Sequence, residues 1–421
     1  MNVLILVASY PPSLDSAARL YSQLAEHLAG AGHSVTVISQ RPAEGGLVDR
    51  SHPYFGSRSP GEMLNGVRVV RVSPLESLAK MPGGKALRFL ISCLLFAAAG
   101  MRLDRQHVVL VYSPPLFMGV AGHLLSRRHG CRMVLNVQDI HPRVLFESGF
   151  IRNPLVKAML AWMERFNYRR AASFIVYSNG NRAYLMSRKV KRDVHVIPNW
   201  VDVAAFRPSA TGDFRKEVGI GNQLLVSYVG TMSPAQGLAI VIEAAALVRS
   251  CPGIMILLAG DGPSKKGIAE RVQSLDLQNV LLLPALPPGR YLDCLATSDV
   301  ILVTLSSDVP PETVPGKLAY AMASGKPVLA AVSPEGDAAS IVRNAGAGLC
   351  VEPNDAGGLA EAMIALHRDP AGRRRLGESA ARYAAEHFSG RSCMGRYERV
   401  LVSATGAQAI DAELQDRAHS S

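Results

Sequence analysis

Residues 2–8 (N-V-L-I-L-V-A) form an unbroken apolar run, the pattern of a strand buried on both faces of a parallel sheet rather than one with a wet side. Ser9-Tyr10-Pro11-Pro12-Ser13 breaks the run. From Ser16 the apolar positions change to helical spacing, at Ala17, Leu20, Tyr21, Leu24, Ala25 and Leu28, and Gly30-Ala31-Gly32 predicts the stop. Residues 34–38 (S-V-T-V-I) predict a second strand, so the chain opens with a βαβ unit and its class is α/β with a parallel sheet. Further strands are predicted near residues 67–72, 108–112, 132–137, 173–177 and 194–198. A second series runs through 224–229, 254–259, 279–283, 299–303, 327–331 and 348–351, mostly with helical periodicity between.

The irregular segment 199–212 separates the two series and reads as a linker. The expected organisation is two doubly wound, Rossmann-like domains over residues 1–200 and 201–388. A helix over 389–405 is expected to return to the first domain, and a frayed polar tail covers 406–421. Open sheets of this kind bind ligands at the carboxyl ends of their strands, so two such domains facing across a cleft predict one ligand from each.

Length agrees with this division, because 421 residues are about twice a typical domain. Apolar residues make up 48% and charged residues 19%, which excludes a disordered chain. Six dispersed cysteines, with no C-x-x-C and no Cys/His cluster at ligand spacing, read as reduced cytoplasmic thiols. The apolar run at residues 3–8 has no basic leader and is too short for a secretion signal.

Charge changes the picture. The net +11 of the whole chain hides a split: residues 1–200 carry 25 Lys+Arg against 11 Asp+Glu, whereas residues 201–421 carry 20 against 23. A domain at +14 beside one at −3 points to an anionic partner of the first domain, either a membrane surface or a phosphorylated substrate, or else to a solvated basic face with no partner. Nucleic acid is excluded as a partner because no basic run is interleaved with aromatics and no binding motif appears. Residues 86–101, flanked by Lys85, Arg88, Arg102 and Arg105, are too short and too charged to span a bilayer. They read either as a core helix or as an interfacial helix on an anionic membrane.

Two segments of the second half carry candidate chemistry. Residues 228–237 (Y-V-G-T-M-S-P-A-Q-G) predict a strand end, a glycine loop and a helix start near Leu238, a turn that would offer backbone N–H groups to a phosphate. Residues 311–327 (P-E-T-V-P-G-K-L-A-Y-A-M-A-S-G-K-P) follow the strand at 299–303 and so lie on the ligand-facing edge. There Glu312 can accept hydrogen bonds from sugar hydroxyls, and Lys317 can neutralise a departing diphosphate. A solvated loop carboxylate and a surface lysine are the plain alternative.

Nearly the whole chain resembles the GT-B-fold glycosyltransferases of family 4. The likeness rests on the S-Y-P-P loop followed by L-A-G-A-G-H-S-V-T-V, on V-Q-D-I-H-P at 137–142 and V-I-P-N-W-V-D at 196–202, and on the glycine loop with A-Q-G-L. It continues through A-G-D-G-P at 259–263, V-P-G-K-L-A-Y-A-M-A-S-G-K-P-V at 314–328 and A-G-A-G-L at 345–349. The A-Q-G-L and P-x-K-L versions look most like the bacterial branch that acts in O-antigen and colanic-acid assembly.

The resemblance implies a retaining, metal-independent transferase with no cofactor besides its nucleotide-sugar donor, UDP-linked ahead of GDP-linked. The acceptor implied is a glycan or a polyprenyl-diphosphate-linked sugar, and no D-x-D motif is present; the +14 asymmetry and residues 85–105 add the expectation that it is met at the cytoplasmic face of an anionic inner membrane. Glu312 matches the glutamate that holds the donor sugar and Lys317 the diphosphate cation, with Gly230, Thr231, Gln236, Gly237, Val314, Pro315, Leu318 and Tyr320 around the donor. Asp139 would orient the acceptor hydroxyl, His141 would bond the transferred sugar, and Ser13, Asp15 and Arg19 would meet the acceptor. The chain departs from the family in three places: Tyr320 stands where the second, ribose-binding glutamate belongs, and Thr231 and Gln236 replace an arginine and a lysine. A sugar-nucleotide 2-epimerase of the same architecture and a non-catalytic nucleotide-sugar binder are the rival readings.

Overall fold

The computed structural model describes residues 1–42, 48–52, 55, 61–73, 84–140, 142–143, 146, 151, 153–206 and 213–406. They group into two compact units. The first contains Met1–Tyr177, Asn181–Ile197 and the chain from Met394; the second contains Ser178–Gly180 and Pro198–Cys393.

The first unit is built, in chain order, from β1 (Asn2–Leu6), α1 (Ser16–Gly30), β2 (Ser34–Gln40), β3 (Gly61–Leu64), β4 (Val67–Val72), α2 (Gly84–Met101), β5 (Val108–Ser113), α3 (Phe117–His129), β6 (Arg132–Val137), α4 (Pro154–Arg170), β7 (Ser173–Val176), α5 (Asn179–Ser187) and β8 (Val194–Val196). Among the described residues its strands form one sheet in the order β3-β4-β2-β1-β5-β6-β7-β8. Every neighbour pair is parallel except β3 with β4. The opening apolar run is buried as its pattern requires: Val3, Leu4, Ile5 and Leu6 are each 0% exposed. The chain moves outward from β1 through β2 to β4, then restarts on the other side of β1 with β5. The topological switch point, where such folds bind ligands, therefore lies between the ends of β1 and β5.

Strand β3 was not anticipated. It is short, but Asn65-Gly66 joins it to β4 with positive φ at both residues (49° and 81°), the geometry of a two-residue hairpin, and N-G is its sequence signal. The hairpin buries an ion pair, Arg71 Nε to Glu62 Oε2 at 3.3 Å, each side chain 2% exposed. The same guanidinium donates to the carbonyls of Tyr10 (3.5 Å) and Pro11, so it clamps the loop that leaves β1.

The second unit continues with α6 (Asp213–Glu217), β9 (Leu224–Val229), α7 (Ala239–Leu247), β10 (Ile254–Ala259), α8 (Lys265–Ser274), β11 (Val280–Leu283), α9 (Pro288–Thr297), β12 (Val300–Thr304), α10 (Lys317–Ala323), β13 (Val328–Ala331), α11 (Asp337–Asn344), β14 (Gly348–Val351), α12 (Ala356–Arg368) and α13 (Pro370–His387). Its described strands are all parallel, in the order β11-β10-β9-β12-β13-β14. Apolar side chains fill both faces, one layer around Leu225, Leu257, Val303 and Met322, the other around Val226, Leu258, Leu302 and Met363. Here the switch point falls between β9 and β12.

The last helix, α14 (Gly390–Thr405), is tied to the first unit by buried polar contacts. Asn136 Nδ2 donates to Tyr397 Oη at 2.8 Å, while Asn136 Oδ1 accepts from Tyr21 (3.1 Å) and Gln138 (2.9 Å). Glu398 meets His27 at 3.3 Å and His33 at 3.1 Å. Residues 407–421, expected to form a tail, lie outside the described residues.

Candidate functional site

Both donor-site segments lie at the switch point of the second unit, one leaving β9 and the other leaving β12. The loop after β9 turns at Gly230 (φ 147°), makes a short 3₁₀ turn at Pro234–Gln236, and leaves it through Gly237 (φ 59°) before α7. The A-G-D-G-P segment supports it backbone to backbone. Gly230 N–H donates to Ala259 O (2.9 Å), Met232 N–H to Asp261 O (2.8 Å) and Ser264 N–H to Met232 O (2.9 Å). A Cβ on Gly260 would come 1.9 Å from the Gly230 carbonyl, and one on Gly262, at φ 145°, 2.4 Å from that of Met232. Glycine is required at both by close approach, and at Gly262 by conformation as well.

This packing narrows one expectation. The N–H groups of Gly230, Met232, Gln236 and Gly237 all have carbonyl partners within the protein, as buried backbone donors must. What the loop can offer a phosphate is limited to its other N–H groups.

Lys317 takes the central place. It begins α10, and its Nζ donates to Tyr228 Oη at 2.5 Å and to Gln236 Oε1, while lying 3.9 Å from the centroid of the Tyr228 ring. Tyr228 in turn donates to the Thr231 carbonyl at 2.5 Å. Burial dominates the ammonium's electrostatics and pulls its pKa from the ordinary 10.5 to about 7, because desolvation penalises the charged form more than a ring face and two neutral oxygens repay. A Cβ on Gly230 would stand 3.6 Å from the same Nζ, so the glycine leaves open the side from which an anion can approach. Tyr228, with its phenol pKa raised by burial, was missed as a site residue. Its signal was its place as the last residue but one of a strand that ends in a glycine loop.

Glu312 sits in the loop between β12 and α10. Ser178 Oγ donates to its carbonyl at 3.0 Å, and beside it Asp337 N–H donates to Pro311 O at 2.9 Å. Asp337 Oδ2 accepts the Gly180 N–H at 2.7 Å. These three anchors are distant in sequence, and no local pattern identified them.

Other donor-site expectations change. Leu318 is 0% exposed in the core, and its N–H donates to Pro315 O at 2.9 Å; its side chain meets other apolar groups, not a ligand. Val314 packs on the same core. The Tyr320 ring packs edge-on against Phe206 (6.1 Å between centroids) and Tyr291 (5.6 Å), which makes the position of the family's second glutamate an aromatic packing position here. Thr231 is exposed and Gln236 half-buried.

In the first unit, Asp139 is exposed just beyond β6, and together with Asp15 it raises the pKa of the Tyr112 phenol, although burial is the larger cause. Asp15 proves to be the N-cap of α1. One oxygen accepts the Ala18 N–H at 3.0 Å and the other the Ser9 hydroxyl, and the carboxylate is exposed at the helix start. Ser13 is half-buried, with its N–H on Tyr10 O at 3.2 Å, and Arg19 is exposed one turn into α1. His141 lies outside the described residues. Among the described residues, no group of three or more His, Cys, Asp or Glu side chains is arranged to hold a metal ion.

The family model for glycosyl transferases group 1 matches residues 211–383, and that for the glycosyl transferase 4-like domain matches residues 17–200. The chain is 23% identical to the colanic acid biosynthesis glycosyl transferase WcaI of Escherichia coli (strain K12), covering 87% of this chain and 91% of that one. It is 24% identical to the N-acetyl-alpha-D-glucosaminyl L-malate synthase of Bacillus anthracis, over 95% and 97% of the two chains. The crystal structure of Anabaena HepE in complex with UDP superposes with a TM-score of 0.69 at 19% identity, over 96% of this chain and 100% of that one. With two matched models that together span most of its length, and with the glycine loop and Lys317 at the switch point of the second sheet, the chain belongs to the family 4 glycosyltransferases of GT-B fold and uses a nucleotide-sugar donor.

Proposed function

We propose that this glycosyltransferase retains anomeric configuration, works without a metal, and moves a sugar from a UDP-sugar onto a polyprenyl-diphosphate-linked or oligosaccharide acceptor during assembly of a bacterial surface polysaccharide. The second unit binds the donor and the first the acceptor, at the cytoplasmic face of an anionic membrane. The observation that carries the donor side is the Lys317 ammonium, held by Tyr228 and Gln236 beside Gly230 at the β9/β12 switch point.

Departure of a nucleoside diphosphate builds negative charge on its terminal oxygens. An ammonium held at that spot in the donor complex stabilises the transition state more than the ground state. Glu312 accepts hydrogen bonds from the donor-sugar hydroxyls and fixes the ring for attack. Asp139 orients the acceptor hydroxyl, and the leaving phosphate oxygen takes the acceptor proton. The name of the WcaI relative supports the polysaccharide reading, and the UDP-bound neighbour supports the choice of base.

The test incubates the protein with a panel of UDP- and GDP-sugars and lipid-extracted acceptors, with and without chelator, and follows the product anomer by NMR. Transfer from a UDP-sugar with retained configuration, insensitive to chelator and lost in Glu312→Ala and Lys317→Met, is expected. A new sugar nucleotide formed without acceptor would establish the epimerase instead.

A further inference from the structure

Helix α4 buries polar side chains beside apolar ones. Tyr168 and Met163 pack on the apolar core, but Glu164 is 1% exposed and accepts from Arg188 (2.7 Å) and Tyr184 (2.9 Å), and Asn167 is 0% exposed and donates to Leu116 O at 2.8 Å. A Cβ on Gly119 of α3 would come 2.4 Å from the Asn167 side chain, so the two helices meet through a glycine. A second set of apolar residues faces outward. Leu155 is 79% exposed, Met159 41% and Trp162 55%, at the spacing of one helical stripe. Trp162 stacks on Phe166 at 5.3 Å, and the Arg170 guanidinium lies 5.6 Å over Phe166.

The stripe does not end at α4. Helix α3 packs between α2 and α4 and adds exposed Leu124, Arg127 and Arg128, and α2 adds exposed Leu94, Met101 and, just past its end, Arg102. On α4 itself Arg165, Arg169 and Arg170 are exposed. Across all three helices the sequence holds a single acid, Glu164, and that one is buried against Arg188.

We infer that this α2/α3/α4 face, centred on Leu155, Met159 and Trp162, is the surface on which the enzyme docks to an anionic lipid bilayer. The inference rests on the membrane reading given above and locates it on α4 rather than on residues 86–101 alone. Tyr168 and Met163 already anchor α4 on the core, so the outward apolar stripe is not needed for packing within the chain and is explained when its partner is the headgroup and acyl boundary of a membrane. Arginines around the stripe reach anionic headgroups while the aromatic pair sits at the interface. A second copy of the chain fits less well, because a two-fold contact would bring the same arginines against each other. The stripe lies on the surface without crossing: no described helix is long and apolar enough to span a bilayer.

Tryptophan emission provides the readout, because Trp200, the other of the 2 tryptophans, is 3% exposed in the second unit. The full chain is mixed with phosphatidylcholine vesicles, pure or with about one third phosphatidylglycerol, and followed by flotation and fluorescence. The wild type is expected to float with the anionic vesicles only, with a blue shift, and to be released by salt. Leu155→Ser/Trp162→Ser is expected to bind at least about tenfold more weakly, and Arg165→Gln/Arg169→Gln to lose the anionic preference. Both variants should keep wild-type circular dichroism and nucleotide-sugar affinity.

Equal vesicle binding by wild type and variants would overturn this surface while leaving the membrane reading standing. A wild type that ignores anionic vesicles would overturn both. A wild-type dimer that these variants split, with vesicle binding unchanged, would make the face a contact between copies and overturn the proposal.

Discussion

Donor affinity should fall steeply with pH above neutrality, and Lys317 should be the cause. With the ligand-free ammonium titrating at about 7 rather than the ordinary 10.5, the lysine is largely neutral at pH 9 and must take up a proton to meet a diphosphate. If the bound lysine stays charged, the apparent dissociation constant scales inversely with the fraction already protonated, and rises about 50-fold between pH 7 and 9. The stability of the ligand-free protein moves the opposite way. The unfolded chain binds this proton up to about pH 10.5, so the contribution of Lys317 to stability increases with pH through the window from about 7 to 10.5.

The assay is calorimetric titration with a UDP-sugar across that range in buffers of different ionisation enthalpy, which also counts the proton taken up. The diphosphate diester carries no titrating group there, and the uracil N3–H, which ionises toward the alkaline end, acts alike on wild type and variants, so the slope assigned to Lys317 is the difference between them. Lys317→Arg should bind with no pH dependence, and Lys317→Met should bind weakly and equally flatly. A wild-type affinity that is level from pH 7 to 9, or a slope that survives in Lys317→Met, would refute the reasoning.

Three further outcomes follow from packing. Glu62→Gln leaves Arg71 buried without its charge partner, which should cost about 3–5 kcal/mol and lower the transition of the first unit in calorimetry, whereas Glu62→Met/Arg71→Met should recover most of it. Gly260→Ala drives a methyl group to 1.9 Å from the Gly230 carbonyl; strain of about 1–3 kcal/mol should appear as a lower melting temperature, together with weaker donor binding as the Lys317 loop shifts. Tyr320→Glu, which restores the family's second glutamate, should not tighten nucleotide binding. It removes two edge-on aromatic contacts worth about 0.5–1.5 kcal/mol each, and thermal denaturation should show that loss.

The fold was legible because its strands are buried on both faces and so appear as apolar runs. The strands expected in both series formed within a residue or two of their predicted bounds. Strand β3 escaped because four residues with one buried position carry little periodic signal, although Asn65-Gly66 marked its turn. At the site, motif and position located Glu312 and Lys317 but not their surroundings. Tyr228 and Ser178 touch Lys317 and Glu312 through contacts across 89 and 134 residues of sequence, and such pairing is set by topology alone. Leu318 shows the reverse error: motif membership suggested ligand contact, whereas amphipathic spacing already pointed to the core.

The departures at 236 and 320 are connected through Lys317. A lysine at 236 would place a second ammonium where Gln236 now accepts a hydrogen bond from Nζ, and like charges in that space would drive the Lys317 pKa lower still. An uncharged amide instead holds the Nζ against Tyr228 without competing for the incoming anion. The result is a site that carries little charge until a donor arrives, so the diphosphate need not displace a bound counter-ion pair. The cost is that protonation and donor binding become one event. Tyr320 fits the same pattern: one turn along α10, an acid there would add a carboxylate near a half-neutral lysine and raise its pKa by opposite-charge attraction. With an aromatic ring in that position, burial alone sets the pKa of Lys317, and that leaves its titration near neutrality.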